Sequence, residues 1–259
     1  MDISFIRIKN SVKWRYKKFG SFIRVSPFLV KQYPQDFEIL SRDYVYDFFT
    51  AKYFLLTRVI RRHRRYFSRK SRGFGEDAFH AAWEYIFAKY HLSNCLEIGV
   101  YRGQTISLWA LLSRLQKRQV SVVGISPLSS AGDSVSNYLD VDYKEDILKN
   151  FREFSLPDPT LIEEYSQSAV AKKLIENGKW DLIYIDGSHD FEVCLSDLLS
   201  SEKGLKTGGI LVIDDSSLYS DFSRSFKGHP GPSKAVSEFL PSTLTKILSV
   251  GHNNFYRKD

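Results

Sequence analysis

The chain has only two cysteines, Cys95 and Cys194, among its 259 residues. That is too few for a disulfide framework, and it points to a reducing compartment. No apolar run approaches the ~20 residues needed to span a bilayer, so no integral membrane protein is expected. The first residues, MDISFIRIKNSVKWRYKK, lack the apolar stretch and small-residue cleavage site of a secretory signal. A soluble, cytoplasmic protein is therefore expected. Internal repeats and low-complexity tracts are missing too. What is present is ordinary for a folded protein: 43% hydrophobic and 26% charged residues, values that rule out wholesale disorder, collagen and coiled coil. A chain this long buries about 75% of its unfolded surface, enough for one large domain without staples.

Charge is unevenly spread. Residues 1–75 carry 18 Lys and Arg against 5 Asp and Glu, whereas the rest carries 19 against 25. The densest run is Arg58, Arg61, Arg62, Arg64, Arg65, Arg69, Lys70 and Arg72. Such a patch suits phosphates of a nucleic acid or an anionic membrane surface. It also suits a solvated helix face with a basic C-terminal end, which is the preferred reading. Phe48, Phe49, Tyr53, Phe54 and Phe67 recur at helical spacing and read as packing residues rather than a base-stacking platform.

The polar stretch SRKSRGFGE (68–76) marks a boundary between a basic helical extension, 1–75, and a domain over 76–259. From there helical and strand patterns alternate. DAFHAAWEYIFAKY is helical, NCLEIGV a strand, TISLWALLSRLQKR helical and VSVVGIS a strand. A polar insertion (129–146) and a helix precede TLIEEYS. A helix through Lys172–Glu176 then precedes DLIYIDG, FEVCLSDLLSSEKGL is helical, and GGILVIDD is a strand. TKILSV and NNFYRK close the chain as paired strands around Gly251 and His252. Continuous apolar strands separated by helices mean right-handed βαβ units and a mostly parallel sheet covered on both faces. Ligands in such folds sit at the carboxyl ends of the strands.

Those ends carry the chemistry. Glu97, Gly99, Tyr101 and Gly103 follow the first strand; the glycines allow a tight turn and close approach of a ligand. Their spacing is not G-x-G-x-x-G, which disfavours a dinucleotide site. Glu97 is costly at a buried strand end unless it meets a donor, such as a cationic ligand amine. Asp186, Ser188, His189 and Asp190 follow the fourth strand, and Asp214 and Asp215 the fifth. Neighbouring strands lie ~4.8 Å apart. Asp186, Asp214 and Asp215 can therefore converge, and crowded carboxylates want a cation between them. An oxygen-only set suits Mg²⁺, Mn²⁺ or Ca²⁺ rather than zinc. His189, with an ordinary pKa of ~6.5, is the candidate proton acceptor. Asp190 reads as the N-terminal acid of the next helix. FSRSFKGHPGPS (222–233) reads as an irregular loop walling the site, with His229 either an acceptor contact or an ordinary loop residue.

Over residues 78–258 the chain resembles the class I S-adenosylmethionine-dependent methyltransferases. The likeness is greatest to the metal-dependent O-methyltransferases of the macrolide-sugar type and more distant to catechol O-methyltransferase. The resemblance implies a Rossmann-like fold with a seven-stranded, mostly parallel sheet and an antiparallel last strand. LEIGVYRGQT matches the family's first motif, which implies that Glu97, Gly99, Tyr101 and Gly103 surround the methionine part of the cofactor. TLIEEYSQS implies adenine contacts from Ser166 and Gln167. IDGSHD implies a metal ligand in Asp186, also beside the cofactor, with Ser188 near the adenine and His189 as catalytic base. LVIDDS implies two further metal ligands, Asp214 and Asp215. One departure stands out: where the family usually has an acid for the ribose hydroxyls, VVGIS places Ser126, and losing bidentate acceptance there weakens cofactor binding by about 1–3 kcal/mol.

The resemblance thus implies S-adenosylmethionine and a divalent ion, Mg²⁺ first, acting on a hydroxyl of a sugar, glycan or other diol. It also implies an N-terminal extension that covers the site or joins two copies. The alternative is a catalytically decayed binding protein whose basic N-terminus holds a polyanion or touches a membrane. A nucleic-acid methyltransferase is disfavoured, because no Asn/Asp-Pro-Pro-aromatic motif follows the fourth strand.

Overall fold

The apolar runs pair into one seven-stranded sheet. Its strands are β1 (Asn94–Ile98), β2 (Ser121–Ser126), β3 (Thr160–Glu163), β4 (Trp180–Ile185), β5 (Leu205–Ile213), β6 (Leu244–Val250) and β7 (Asn253–Lys258). The computed structural model describes residues 20–21, 23–25, 29–130, 132–133, 135–136 and 139–259. The reading of the first eighteen residues lies outside them. The strand order is β3-β2-β1-β4-β5-β7-β6. β7 runs antiparallel to both neighbours, and the remaining pairings are parallel. This is the Rossmann-like sheet expected, with β7 as the reversed strand.

Eight α-helices lie among the described residues: α1 (Arg42–Tyr53), α2 (Arg58–Phe67), α3 (Asp77–Lys89), α4 (Gln104–Leu115), α5 (Tyr143–Glu153), α6 (Ala169–Asn177), α7 (Phe191–Gly204) and α8 (Pro230–Phe239). Several start where a side chain satisfies a free amide. Ser41, Asp142 and Ser168 accept from the amides of Tyr44, Glu145 and Ala171. No helix of the described residues is long and apolar enough to cross a membrane.

The period-2 alternation of the strands divides the core in two. Leu182, Tyr184, Ile210 and Val212 face one cluster with Trp83 and Trp109, while Ile183, Ile185, Leu211 and Ile213 face the other. The first cluster extends without a break into Phe48, Phe49, Tyr53, Phe54 and Phe67, so these aromatic residues of the N-terminal helices are packing residues. Ile60, His63 and Phe67 form the buried face of α2. On its other side Arg62 meets Glu153 at 2.5 Å and Arg64 meets Asp77 at 3.3 Å.

Two stretches read as irregular differ from that reading. Helix α8 takes over at Pro230, so only 222–229 of the presumed 222–233 loop is irregular. Proline at N1 lacks an amide that would be unpaired there anyway, and its fixed φ suits the first turn. Likewise α5 claims the end of the polar insertion from Tyr143 onward, started by the Asp142 cap.

Candidate functional site

Backbone hydrogen bonds carry the sheet one residue past the strand ends and line up the site. The amide of Gly99 donates to Ile125 O (2.9 Å), that of Asp186 to Ile98 O (2.8 Å) and that of Asp214 to Ile185 O (2.9 Å). β1 and β4 are the strands between which the order reverses, so the residues after them open onto the crevice of the fold. Gly99, at φ 94°, is needed here because a Cβ would lie 2.0 Å from Asp186 O. The glycine thus admits the neighbouring strand's backbone, where a ligand was expected to need the room.

The acids differ sharply in environment. Glu97 is 3% exposed, and burial raises its pKa to about 8, against hydrogen bonds from Thr105 and the Ile106 amide. Burial, then the Asp214 and Glu97 carboxylates, push the Asp186 carboxyl well above the usual carboxylate range. Asp214 Oδ1 is buried and makes no hydrogen bond. Asp215 sits at φ 50° in the left-handed region, with its carbonyl accepting from the His229 amide at 2.9 Å. That turn is held by Gly228, where any Cβ would lie 2.0 Å from the same carbonyl.

Three histidines ring Asp215. His189 Nε2 lies 3.0 Å from Asp215 Oδ2, and its Nδ1 lies 2.7 Å from Asp133 Oδ2. Burial lowers the pKa of His189, but hydrogen bonds to Asp215 and Asp133 outweigh it and hold the group at about 8. His229 Nε2 is 3.7 Å from Asp215 Oδ2, and the His189 and His229 rings meet edge to face at 4.3 Å. His252 Nε2 is 3.3 Å from Asp214 Oδ1 and 3.6 Å from Asp215 Oδ1. Among the described residues, two groups place ligand atoms within 4.8 Å of one another: His189, Asp215 and His229, and Asp214, Asp215 and His252. Asp186 belongs to neither.

The other expected cofactor residues lie around the same edge. Gly103, at φ 76°, caps α4, and the Tyr101 ring rests against Phe74 at 5.1 Å and Tyr143 at 5.7 Å. Ser126 ends β2. Ser166 Oγ donates to Asp197 Oδ2 at 3.0 Å and accepts from Gln167 Nε2 at 3.1 Å. Ser188 Oγ accepts from the Asp190 amide at 3.2 Å, Asp190 being the N-cap of α7. A pocket opens between Gly187, Ser188, His189, Cys194, Asp214, Asp215 and Pro232.

Asp133, His252 and Asp197 were not singled out from sequence. Asp133 lay in the polar insertion, His252 in the last turn and Asp197 in a helix, and none follows a parallel strand. Only the three-dimensional pairings mark them.

A methyltransferase-domain family model matches residues 96–216. Over these residues the chain is similar to a methyltransferase domain. The match runs from β1 to just past Asp215 and so covers the strand ends that build the site. Among curated proteins, the uncharacterized protein R132 of Acanthamoeba polyphaga mimivirus is 27% identical over 149 residues, 55% of this chain. The match spans only 59% of that relative's own length. Among solved structures, the chain shares its fold with SAH-bound methyltransferase PaMTH1 of Podospora anserina. There the TM-score is 0.55 and the identity 17%, over 79% of this chain and 89% of that one. It is also similar to the MycE methyltransferase of the mycinamycin biosynthetic pathway, solved with Mg and SAH. That match has a TM-score of 0.50 and 15% identity, over 77% of this chain and 54% of that one. At these identities the likeness is one of fold.

Proposed function

We propose that the methyltransferase domain is an S-adenosylmethionine-dependent O-methyltransferase that uses a divalent cation and acts on a hydroxyl of a sugar, glycan or other diol-bearing small molecule. One observation carries this reading: Asp214 and Asp215, with a buried Asp214 oxygen that makes no hydrogen bond and faces His252, stand beside His189 at the strand-end crevice. The relatives solved with SAH, one of them with Mg, support the choice of cofactor and cation.

When bound, S-adenosylmethionine supplies an electrophilic methyl group, and a divalent cation lowers the pKa of an acceptor hydroxyl. Asp214 and Asp215 would hold that cation. His189 takes up the acceptor proton at Nε2, and Asp133, holding Nδ1, fixes the ring's orientation. Glu97, Gly99, Tyr101 and Gly103 would line the methionine end of the cofactor, with Ser126, Ser166, Gln167 and Ser188 along the nucleoside. Holding the two reactants in line supplies much of the remaining acceleration through proximity. Within the N-terminal extension, half-buried Arg42 braces the site: it donates to Gly251 O (2.9 Å) and Asn254 Oδ1 (2.7 Å), fixing the turn that carries His252.

A second reading, a binding protein without turnover, draws on Ser126, which replaces the ribose-binding acid of the family. Labelled S-adenosylmethionine incubated with a panel of vicinal diols, with and without chelator, separates the two. Transfer that stops on chelation and returns with added ion supports the enzyme. Transfer indifferent to chelator removes the cation from the account. SAH binding with no transfer to any diol favours the binding protein.

A further inference from the structure

We propose that the cation site is built from Asp214, Asp215 and His252, and that it prefers a first-row ion accepting imidazole nitrogen, such as Mn²⁺, Co²⁺ or Zn²⁺, over Mg²⁺. The proposal rests on the divalent-cation part of the function above and puts His252 in the place that family resemblance gave to Asp186.

His252 carries the argument. Its Nδ1 lies 3.2 Å from Phe226 O. A carbonyl oxygen only accepts, so Nδ1 is the donor nitrogen, which leaves Nε2 as the nitrogen whose lone pair can ligate. That lone pair faces Asp214 Oδ1 at 3.3 Å and Asp215 Oδ1 at 3.6 Å. Three electron-rich atoms therefore meet, and Asp214 Oδ1, shut off from solvent, has no hydrogen bond to relieve it. A cation between them supplies the missing positive charge. A ligating imidazole whose far nitrogen donates to a backbone carbonyl is also the usual arrangement at metal sites, because it fixes the tautomer and aims the ring.

The surroundings hold these three atoms in place before any ion arrives. His252 is buried, its ring set edge-on to Phe79 at 4.7 Å and Phe226 at 5.5 Å. Its carbonyl accepts from the Ser216 amide at 3.1 Å, which ties the β6–β7 turn to the Asp214–Asp215 turn. Asn254 Nδ2 adds a second tie to Ser216 O at 3.0 Å.

The rival assignments are weaker on geometry. Asp186 stands in neither group of converging ligand atoms. In the other group, Asp133 holds His189 Nδ1, and Nε2 is the nitrogen assigned to the acceptor proton, so it is not free for an ion. Nitrogen in the ligand set matters because Mg²⁺ demands hard oxygen donors, whereas imidazole suits later first-row ions, whose affinity rises along the series toward Cu²⁺.

The full chain, stripped of metal by chelation, is titrated with Co²⁺ while visible absorption is followed, and then challenged with Mg²⁺. The expected result is a saturable band that roughly a hundredfold excess of Mg²⁺ does not displace. His252→Gln is expected to weaken Co²⁺ binding by about tenfold or more and to leave Mg²⁺ binding within about twofold. Displacement by equimolar Mg²⁺, or equal weakening of both ions in the variant, overturns the proposal. Pulsed EPR of Mn²⁺ on the unaltered chain is independent of how the variant folds: coupling to an imidazole nitrogen supports the site, and oxygen-only coordination overturns it. SAH binding on the same samples keeps the two readings apart. SAH bound with no Co²⁺ band overturns this site alone, and a Co²⁺ band without SAH binding upholds the site while removing the methyltransferase function.

Discussion

Beneath the N-terminal helices, His63 and His80 lie wholly buried in a hydrogen-bonded chain. His63 Nδ1 is 3.1 Å from His80 Nε2, and His63 Nε2 is 2.9 Å from Ser107 Oγ. At the ends of β4 and β5, His189, His229 and His252 gather around Asp214 and Asp215. The residue type is the same; the neighbours differ. Around the first pair there is apolar packing and a cation: burial, with Arg64 adding to it, lowers His63 to about 3, and His80 falls well below its usual value. Around His189 two carboxylates reverse the effect of burial and raise it to about 8. A histidine's role in this chain is therefore set by whether an acid reaches it. The first group is fixed in the neutral form and serves the fold. The second can exchange a proton or meet a cation.

The largest expected break in that contrast is at Asp215. Asp215→Ala removes a cation ligand and one clamp on His189, and turnover should fall by about 10³-fold or more while SAH still binds in calorimetry. Unchanged metal dependence would remove Asp215 as a ligand. His189→Gln should cost about 10²-fold in kcat, with cofactor affinity retained; undiminished kcat would end its role as base. Arg42→Ala tests the link between the two regions, since its guanidinium holds the turn bearing His252. Stability should drop by about 1–3 kcal/mol in urea titration, because its buried acceptors lose their donor.

The smallest effect at neutral pH belongs to His63, and it appears on acidification. Its folded pKa of about 3 lies below the unfolded value of about 6.5, so the unfolded chain binds more protons between those values. Stability is whole above about pH 6.5 and declines as pH falls toward 3. His63→Phe should flatten that acid limb in thermal melts at successive pH values; an unchanged limb would show that other groups set it. His189→Gln should leave the limb as it is.

Much of this was legible in the sequence, for reasons that also mark the limits. The parallel strands announce themselves because burial on both faces leaves continuous apolar runs such as DLIYI and GILVI. The acids following them stand out because a charge there is expensive without a partner. Helix α8 was hidden by its own start, since GHPGP reads as a turn until proline is seen at the first helical position. Asp133 and His252 were hidden by distance along the chain: their meaning lies in contacts to His189, 56 residues away, and to Asp214 across the β6–β7 turn. Ser166, expected beside the adenine, donates its hydroxyl to Asp197, an acid that burial raises to about 7 and that only the folded contact reveals. The basic run of 58–72 was split between a solvated face and a polyanion site; Arg62 and Arg64 are paired with Glu153 and Asp77, and α2 buries its other side in the core.

Titration calorimetry of S-adenosylhomocysteine into the full chain, with and without a divalent ion, bears most directly on the catalytic reading. Saturable one-site binding, tightened or unchanged by the ion, is the result expected of a crevice that holds the nucleoside beside the Asp214–Asp215 turn. No heat in either titration, with no protection of the chain against thermal unfolding, would contradict it.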